Sequence, residues 1–327
     1  MQARRVSVVV PTCNRPASLR RALASIRAVE GLDIRLEILV ADNGDCPETK
    51  TAAAEYGAKY LKVDQKGPSA ARNAAMFAAT GDYIAFLDDD DAWTDQHLRW
   101  HIELFEANEK MDLVIGQVIS TDESYKPFGE PWLAEPPKAG PDLLRRMLSG
   151  YFPQVGSILI RTRVRDSVGG FNPRLLGGED LDWMLRIAKS GNVGFVKVPC
   201  VMFTHRDIGT FDALQLRRIE YDKVVFYRYA LRWWWLWRSP MEYCRAYSGT
   251  LMHFYRYFAD AALERAEHGQ RWSAMKAVFH AAGIFPLRTL KHLCSDTKLR
   301  HAVALSLSVR LHAAQLHLPF WLFFVHC

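Results

Sequence analysis

The sequence predicts an α/β fold with a doubly wound, mostly parallel sheet, followed by a mainly helical C-terminal region. Over the first 120 residues, short apolar runs alternate with segments of helical periodicity. This alternation is typical of a parallel sheet covered by helices on both faces. From about Leu214 onward the pattern is helical almost throughout. We therefore predict an α/β domain over residues 1–213 and a helical region over residues 214–327.

Five apolar runs rich in Val, Ile and Leu predict the first strands: VSVVVPT, LEILVAD, KYLKVD, YIAFLD and DLVIGQVIS. Four segments between them predict helices, and Pro16, Pro47 and Pro68 lie near three of the helix starts. Ligands of such sheets bind beyond the carboxyl ends of the strands. The polar residues found at those ends are Thr12, Asn14, Asp42 and Asp88–Asp91.

The middle of the sequence is less regular. The segment YKPFGEPWLAEPPKAGP has five prolines and predicts a loop. SILIRT predicts a further strand, VGGFNPRLLGGEDLDWMLRIAKSG turns into a helix, and VGFVKVPCVMFTH predicts a strand that ends at His205. The α/β pattern therefore continues to about residue 210.

Composition excludes some classes of protein and leaves others open. Of 327 residues, 49% are hydrophobic, which is not the composition of a disordered chain. No segment resembles a signal peptide, and six scattered cysteines without a CxxC pair indicate reduced thiols, so we expect a cytoplasmic protein. Residues 217–327 carry 16 Lys and Arg against 7 Asp and Glu, a net charge of +9, whereas residues 1–216 carry −3. A basic, aromatic-rich region of this kind suits an anionic surface, either membrane lipid or nucleic acid.

Four consecutive aspartates, Asp88–Asp91, follow the apolar run Tyr83–Leu87. The run predicts a strand buried on both faces. Carboxylates ~5 Å apart repel by ~3 kcal/mol per pair at an effective dielectric constant near 20. A divalent cation would offset this repulsion, and Mg²⁺ or Mn²⁺ prefers carboxylates together with substrate phosphates. The alternative is a solvated acidic turn.

Motifs that define other enzyme classes are absent from the sequence. There is no glycine-rich phosphate loop, no HExxH, no paired-cysteine zinc pattern and no GxSxG elbow. The remaining candidates are the aspartate cluster, the acidic pair Glu179 and Asp180, and His205.

About two-thirds of the chain resembles the family 2 glycosyltransferases of the GT-A fold. VSVVVPTCNR resembles the opening strand and nucleotide-holding loop of that family, LVADNGD its second strand, and GPSAARNAA its Arg-Asn helix. Ala41 stands where the family often has the first aspartate of a pair. The nucleotide-sugar-binding positions that the resemblance implies are Pro11, Thr12, Asn14, Asp42, Arg72, Asp88 and Asp89.

The resemblance also implies a metal site. YIAFLDDDDAW resembles the DXD element, with Asp90 as the direct ligand of Mn²⁺ or Mg²⁺ and Asp88 beside it. FTHRDIGT is similar to a late histidine segment near the metal, which falls on His205.

The acceptor side is implied by GGEDLDWMLR, which resembles an acidic motif whose aspartate is the general base. That role falls on Asp180, with Glu179 next to it as a second catalytic candidate. Trp183 is a candidate for stacking on an acceptor sugar, and a core position is the alternative.

Several of these residues have structural alternatives. Asp91 is the aspartate that we interpret as structural, as a cap of the following helix. Glu179 and Asp180 fit a helix N-terminus, where the dipole favours carboxylates, and Asp182 and Arg186 are spaced for an ion pair. His205 is equally typical of a core histidine. Arg72 could pair with Asp42 or a neighbouring carboxylate, and Asn14 could cap the helix at Pro16.

The function indicated is inverting transfer of a sugar from a nucleoside diphosphate sugar to a hydroxyl of a glycan or lipid-linked acceptor, as in cell-surface polysaccharide or lipopolysaccharide synthesis. Uridine diphosphate donors are the default that the resemblance implies. The alternatives are a non-catalytic protein that binds nucleotide sugars or glycans, and a nucleotidyltransferase of similar sheet architecture. The donor sugar, the linkage and the oligomeric state do not follow from the sequence.

The basic C-terminal region suggests a peripheral position on the cytoplasmic face of a membrane. In LRWWWLWRSP, three consecutive tryptophans sweep roughly 200° of a helix surface and cannot all face one core. Residues 311–327 are charge-free but shorter than the ~20 apolar residues that span a bilayer. We expect this region to lie on a membrane, and packing of its aromatic residues in a helical bundle is the alternative. Nucleic acid is the less favoured anionic partner.

Overall fold

The computed structural model describes residues 3–31, 33–122, 124–133, 135–189, 192–204, 221, 223–229, 240–295 and 297–307. By its internal contacts the chain divides into two compact units, Met1–His253 and Phe254–Cys327.

Nine strands form one sheet among the described residues of the first unit. They are β1 Arg4–Thr12, β2 Ile34–Asp42, β3 Lys59–Lys62, β4 Tyr83–Phe86, β5 Ala92–Trp93, β6 Leu113–Thr121, β7 Pro127–Phe128, β8 Ile158–Arg161 and β9 Val193–Thr204. The order is β3-β2-β1-β4-β8-β6-β9-β5, with β7 paired to β6. The α/β class predicted from the sequence is confirmed.

The sheet has a parallel half and a mixed half. β1 pairs in parallel with both β2 and β4, and β2 pairs in parallel with β3. β8 is antiparallel to its neighbours β4 and β6, while β6 and β9 run parallel. β1 is therefore flanked by two parallel strands whose carboxyl ends lie at the same edge.

Helices cover both faces of the sheet in the first unit. They are α1 Pro16–Ala28, α2 Glu48–Glu55, α3 Pro68–Ala78, α4 His97–Ala107, α5 Pro141–Leu148, α6 Thr162–Val168 and α7 Glu179–Ala188, with a 3₁₀ turn over Val155–Ser157. Pro16 and Pro68 begin their helices, where the missing N–H has no cost. The proline-rich segment predicted as a loop contains β7 and is followed by α5.

Alternating residues of β1 face two hydrophobic cores. Val8 packs in the core covered by α1, α2 and α4. Val9 packs in the core covered by α3, α5 and α7. Burial on both faces explains why the strands are continuously apolar.

The predicted domain boundary near Leu214 does not coincide with the division at His253. Residues 223–229 are helical, and Val225 and Phe226 are buried in the core of the first unit. A segment that looks like the start of a separate helical region thus completes the α/β core.

The C-terminal region is helical, as predicted. Its described helices are α8 Pro240–Glu267, α9 Arg271–Ile284, α10 Pro286–Cys294 and α11 Lys298–Leu307, and the division between the units falls within α8. Among the described residues, no helix has the length and apolar character needed to cross a bilayer. The tryptophan-rich segment and residues 311–327 lie outside the described residues.

Candidate active site at the strand ends

The strand ends converge on one polar site. Thr12 at the end of β1 lies opposite Asp42 at the end of β2. Asp88–Asp91 form a turn after β4, closed by a hydrogen bond from the Asp91 N–H to the Asp88 carbonyl. The Thr12 hydroxyl donates to Asp89 Oδ2 at 2.6 Å and so joins the ends of β1 and β4.

Asp89 is fully buried, and Arg15 compensates its charge. Arg15 Nη2 lies 2.6 Å from Asp89 Oδ1, and Arg15 Nη1 lies 3.4 Å from Asp90 Oδ2. Burial raises the pKa of Asp89 to about 6, although Arg15 and the Thr12 hydrogen bond favour the anion. Arg15 is not among the predicted site residues, although it directly follows Asn14 in the loop after β1.

Asp91 has a structural role that differs from the predicted helix cap. Its side chain accepts hydrogen bonds from Gln154 Nε2 at 2.7 Å and from the Thr204 N–H at 2.9 Å. Burial, followed by the nearby Asp88, raises the pKa of Asp91 well above its ordinary value. Asp91 therefore attaches the end of β9 to the aspartate turn, whereas α4 has Gln96 at its N-cap. No sequence signal pointed to Gln154.

Arg72 connects the aspartate turn to the acidic motif of α7. Its Nη2 lies 2.8 Å from Asp88 Oδ1, and its Nη1 lies 3.1 Å from Glu179 Oε1. Although burial lowers the pKa of this guanidinium, Asp88 and then Glu179 raise it above its ordinary value. The alternative that Arg72 pairs with a neighbouring carboxylate is therefore what the structure shows. Because the pair spans two elements, Glu179 and Asp88 belong to one site.

Glu179, Asp180 and Asp182 lie in the first turn of α7, after Gly178, whose φ of 65° is in the left-handed region. Asp180 Oδ1 accepts a hydrogen bond from the next backbone N–H, and Asp180 makes no ion pair with any described residue. Asp182 is buried and forms the predicted ion pair with Arg186 at 3.1 Å. Of these three carboxylates, Asp180 is the one that is not held by an arginine in the described structure.

The β2 end of the site is closed by hydrogen bonds. Asp42 accepts from the Gly44 N–H at 2.7 Å and from the Tyr60 hydroxyl at 2.9 Å. Asn14 does not cap α1, because its Oδ1 accepts the backbone N–H groups of Asp45 and Cys46. Asn14, at a φ of 58°, therefore fastens the loop after β1 to the loop after β2. Pro11 is buried in β1, next to Thr12.

Two predictions from the acceptor and metal motifs have different outcomes. Trp183 is fully buried, stacks on Phe171 at 4.3 Å and donates its Nε1–H to the Gly169 carbonyl at 2.8 Å. The prediction that Trp183 stacks on an acceptor sugar is wrong, because a fully buried ring has no face left for a sugar. His205 lies outside the described residues.

The donor set fits a hard divalent cation. Asp88 and Asp90 are partly exposed at the turn, with 28% and 21% of their side chains accessible, and they offer carboxylate oxygens. Asp89 is enclosed beside Arg15, and Asp91 is committed to β9. Asp88 and Asp90 are therefore the residues of the turn that would hold Mn²⁺ or Mg²⁺.

Residues 7–165 match the model of the Glycosyl transferase family 2. These residues, just under half of the 327-residue chain, are similar to that family. The resemblance seen in the motifs is confirmed.

Relatives and solved structures agree with this class. A pre-mycofactocin glycosyltransferase of Mycobacterium tuberculosis is 28% identical over 220 residues, which are 62% of this chain and 43% of that protein. The Escherichia coli UDP-Glc:alpha-D-GlcNAc-diphosphoundecaprenol beta-1,3-glucosyltransferase WfgD is 29% identical over 107 residues, which are 32% of this chain and 42% of that protein. The chain spans about half the length of the curated relatives it matches.

The fold resembles S. aureus TarS over nearly the whole chain. The structure of TarS 1–349 in complex with UDP-GlcNAc superposes with a TM-score of 0.58 at 18% identity, covering 94% of this chain and 88% of that one. The predicted glycosyltransferase fold with its helical C-terminal region is confirmed.

Proposed function

We propose that the protein is an inverting, metal-dependent glycosyltransferase that moves a sugar from a UDP-linked donor to a hydroxyl of a lipid-linked or glycan acceptor. The observation that carries the proposal is the ion pair of Arg72 with both Asp88 and Glu179. It joins the carboxylates suited to a metal and diphosphate with those suited to a proton acceptor. A protein that only binds nucleotide sugars would need the first group alone.

Asp180 is the proposed general base. Transfer requires a carboxylate that accepts the proton of the acceptor hydroxyl as the new bond forms. Arg72 engages Glu179, whereas Asp180 has no ion pair among the described residues. A single base on the face opposite the leaving group predicts inversion at the sugar carbon.

The donor end of the site would hold the diphosphate and the nucleoside. A divalent cation held by Asp88 and Asp90 supplies Lewis-acid stabilisation of the departing diphosphate when it is bound. Arg15 lies against Asp89 and Asp90 and adds a positive charge at the same place. Thr12 and Asp42, the proposed nucleotide contacts, lie at adjacent strand ends. Both are buried and hydrogen-bonded within the protein, so these contacts would require their side chains to exchange partners. UDP is favoured by the names of WfgD and of the TarS complex.

A lipid-linked acceptor is favoured by the name of WfgD and by the surface of the C-terminal unit. Trp272 and Phe279 on α9 are 86% and 69% exposed, and they lie seven residues apart on one face. Leu287 on α10 is 82% exposed and borders an open pocket of about 590 Å³ that Arg288 and Lys291 also line. Exposed aromatic and aliphatic groups among cations suit an anionic membrane surface, which supports a peripheral position on the cytoplasmic face.

Nucleoside diphosphate release from a panel of nucleotide sugars tests the enzymatic part of the proposal. Purified protein with Mn²⁺ should release UDP from a UDP-sugar in the presence of an acceptor, and excess EDTA should stop the release. Full activity in EDTA would contradict metal dependence. Binding of a UDP-sugar without turnover would favour the binding protein, and release of pyrophosphate from a sugar phosphate and UTP would favour the nucleotidyltransferase.

Flotation with anionic liposomes tests the membrane part. A truncated protein that ends near Leu214, the predicted domain boundary, is not a suitable control, because the truncation would remove Val225 and Phe226 from the core. The double variant Trp272→Ser, Phe279→Ser should lose binding, while Phe77→Ser, which changes an exposed phenylalanine of α3, should keep it. Equal flotation of both variants would contradict docking through α9.

A further inference from the structure

A second group of potential metal ligands lies away from the strand ends, between α4, β6 and β9. His97 and His101 are one helical turn apart on α4, so they share a face. Cys200 on β9 lies opposite them, and all three side chains are fully buried. Their ligand atoms lie within 4.8 Å of one another. We call these three residues the nitrogen–sulfur cluster.

The His97 ring is buried, and its nitrogens lack a hydrogen bond of normal geometry. Its ring stacks on Trp93 with centroids 4.1 Å apart and an interplanar angle of 13°, and neither ring nitrogen has a partner. A buried polar atom without a partner costs about 1–3 kcal/mol, and native proteins rarely leave one unsatisfied. Burial, followed by the nearby His101, lowers the pKa of His97 well below its ordinary value, an effect only partly opposed by the backbone at Cys200. Burial favours the neutral ring, which carries one lone pair on nitrogen.

Both ring nitrogens of His101 face backbone carbonyl oxygens, so the ring has more acceptors than it can satisfy. Its Nε2 lies 2.9 Å from the Ser157 carbonyl oxygen, and its Nδ1 contacts the His97 carbonyl oxygen. A neutral imidazole has one N–H, so it donates to only one of these oxygens while its second nitrogen faces the other oxygen with a lone pair. A metal-bound histidine usually donates its remaining N–H to a backbone carbonyl, and the Ser157 contact fits that role.

Gly116 on β6 keeps the space around the cluster open. A Cβ at this position would lie 2.8 Å from Cys200 Cβ and 2.9 Å from both Cys200 Sγ and His101 Cε1. Any larger residue would push the thiol and the ring away from each other. The close approach of β6 is thus compatible with the three ligands only because residue 116 has no side chain.

We propose that His97, His101 and Cys200 bind one thiophilic d¹⁰ cation, Zn²⁺ or Cu⁺, at a three-ligand site separate from the aspartate turn. Imidazole and thiolate ligands select these ions over Mg²⁺ and Mn²⁺. Zinc forms bonds of ~2.0–2.1 Å to nitrogen and ~2.3 Å to sulfur. To reach these lengths, the three donor atoms would have to approach one another by about 1 Å or less. On binding, the metal–sulfur bond replaces the S–H bond, and the thiol proton leaves to solvent.

The site would hold α4 against β9. Thr204, at the end of β9, donates its N–H to Asp91 of the aspartate turn. A metal at Cys200 would therefore fix the strand that supports that turn, without taking part in sugar transfer.

Metal content of the intact chain tests the proposal. The protein is made without a histidine tag and dialysed against Mg²⁺, which displaces weakly bound metal. It should then retain one equivalent of Zn²⁺ or Cu⁺, measured by elemental mass spectrometry. The Co²⁺-loaded protein should show a thiolate-to-metal charge-transfer band. Cys200→Ala should lose the metal and the band. Cys46→Ala, which changes a half-buried cysteine after β2 and outside the nitrogen–sulfur cluster, should keep both.

A folded wild-type protein without bound Zn²⁺ or Cu⁺ after loading would overturn the proposal, as would a Cys200→Ala variant that keeps the full equivalent. If Cys200→Ala does not fold, His97→Phe provides the second test, because phenylalanine can occupy the stacked position on Trp93. Zn²⁺ should raise the Tm of the wild type with saturation at one equivalent and leave the Tm of His97→Phe unchanged; an equal rise in both would contradict the site.

Discussion

The aspartate turn and the nitrogen–sulfur cluster lie in the same unit but treat buried polar groups in opposite ways. In the turn, charged carboxylates are balanced by arginines that reach them from α3 and from the loop after β1. In the cluster, burial keeps two histidines and a cysteine neutral, and it raises the pKa of Cys200 to about 12. The carboxylates of the turn can be buried because arginines balance their charge. The groups of the cluster are neutral and need no opposite charge nearby.

This difference between the turn and the cluster predicts how strongly substitutions in each should change stability. Removing a partner from a buried ion pair leaves an uncompensated charge and costs about 3–5 kcal/mol. Removing a neutral buried group without hydrogen bonds costs little if its volume is kept. Substitutions in the two places should therefore separate into large and small effects, and the following predictions proceed in that order.

Asp90→Ala should have the largest effect on activity. If Asp90 holds the proposed cation, its loss removes several kcal/mol of transition-state stabilisation, so transfer should fall by about 10³-fold or more, and nucleotide binding should weaken. Initial rates of UDP release and calorimetric UDP binding measure both changes. Near-normal rates in Asp90→Ala would show that this carboxylate does not hold the metal.

Arg72→Met should have the largest effect on stability. It leaves Asp88 and Glu179 without their buried partner, so the free energy of unfolding should fall by about 3–5 kcal/mol. Denaturant unfolding measures the change. Arg174→Met, at an exposed position in the same unit, is the control and should leave the stability nearly unchanged.

Asp180→Asn should reduce transfer by about 10²-fold or more while donor binding persists, because the variant keeps the shape of the side chain and loses the proposed proton acceptor. Asp166→Asn, at an exposed site on α6, should be close to wild type. If Asp180→Asn turns over normally, the base lies elsewhere, and Glu179 is the next candidate.

Glu37→Gln should have a smaller effect that depends on pH. Burial raises the pKa of Glu37, but the hydrogen bonds from Ser7 and Thr80 together lower it by more, so the net pKa lies below its ordinary value. The ionised form therefore stabilises the fold above the ordinary pKa, and this contribution is lost as the pH falls through the lowered pKa. The free energy of unfolding should fall between pH 7 and pH 3 in the wild type, and the fall should be smaller by about 1 kcal/mol in Glu37→Gln. An equal fall in both proteins would exclude this contribution.

His97→Phe should cause the smallest loss of stability in metal-free protein. The ring volume and the stacking on Trp93 are retained and two ring nitrogens without partners are removed, so the free energy of unfolding should not fall. A loss as large as that of Arg72→Met would contradict the contrast between the two regions.

Much of the fold followed from the sequence, since the hydrophobic periods of its helices and buried strands are local properties. The strand ends also predicted which side chains converge, because parallel strands end at one edge of the sheet. The antiparallel insertion of β8 between β4 and β6 did not follow, and neither did the packing of Val225 and Phe226 into the first unit. These features depend on contacts between residues far apart in the chain.

The sequence by itself determined that four adjacent aspartates follow a buried strand and that an acidic pair begins a later helix. In the sequence the four aspartates are chemically equal. Only the tertiary structure made them different: Asp88 faces Arg72, Asp89 is enclosed by Thr12 and Arg15, Asp90 is partly exposed, and Asp91 holds the end of β9. The reason is physical, because the ionisation and the role of a carboxylate depend on its solvation and on the charges around it, and these come from elements up to about a hundred residues away in the chain.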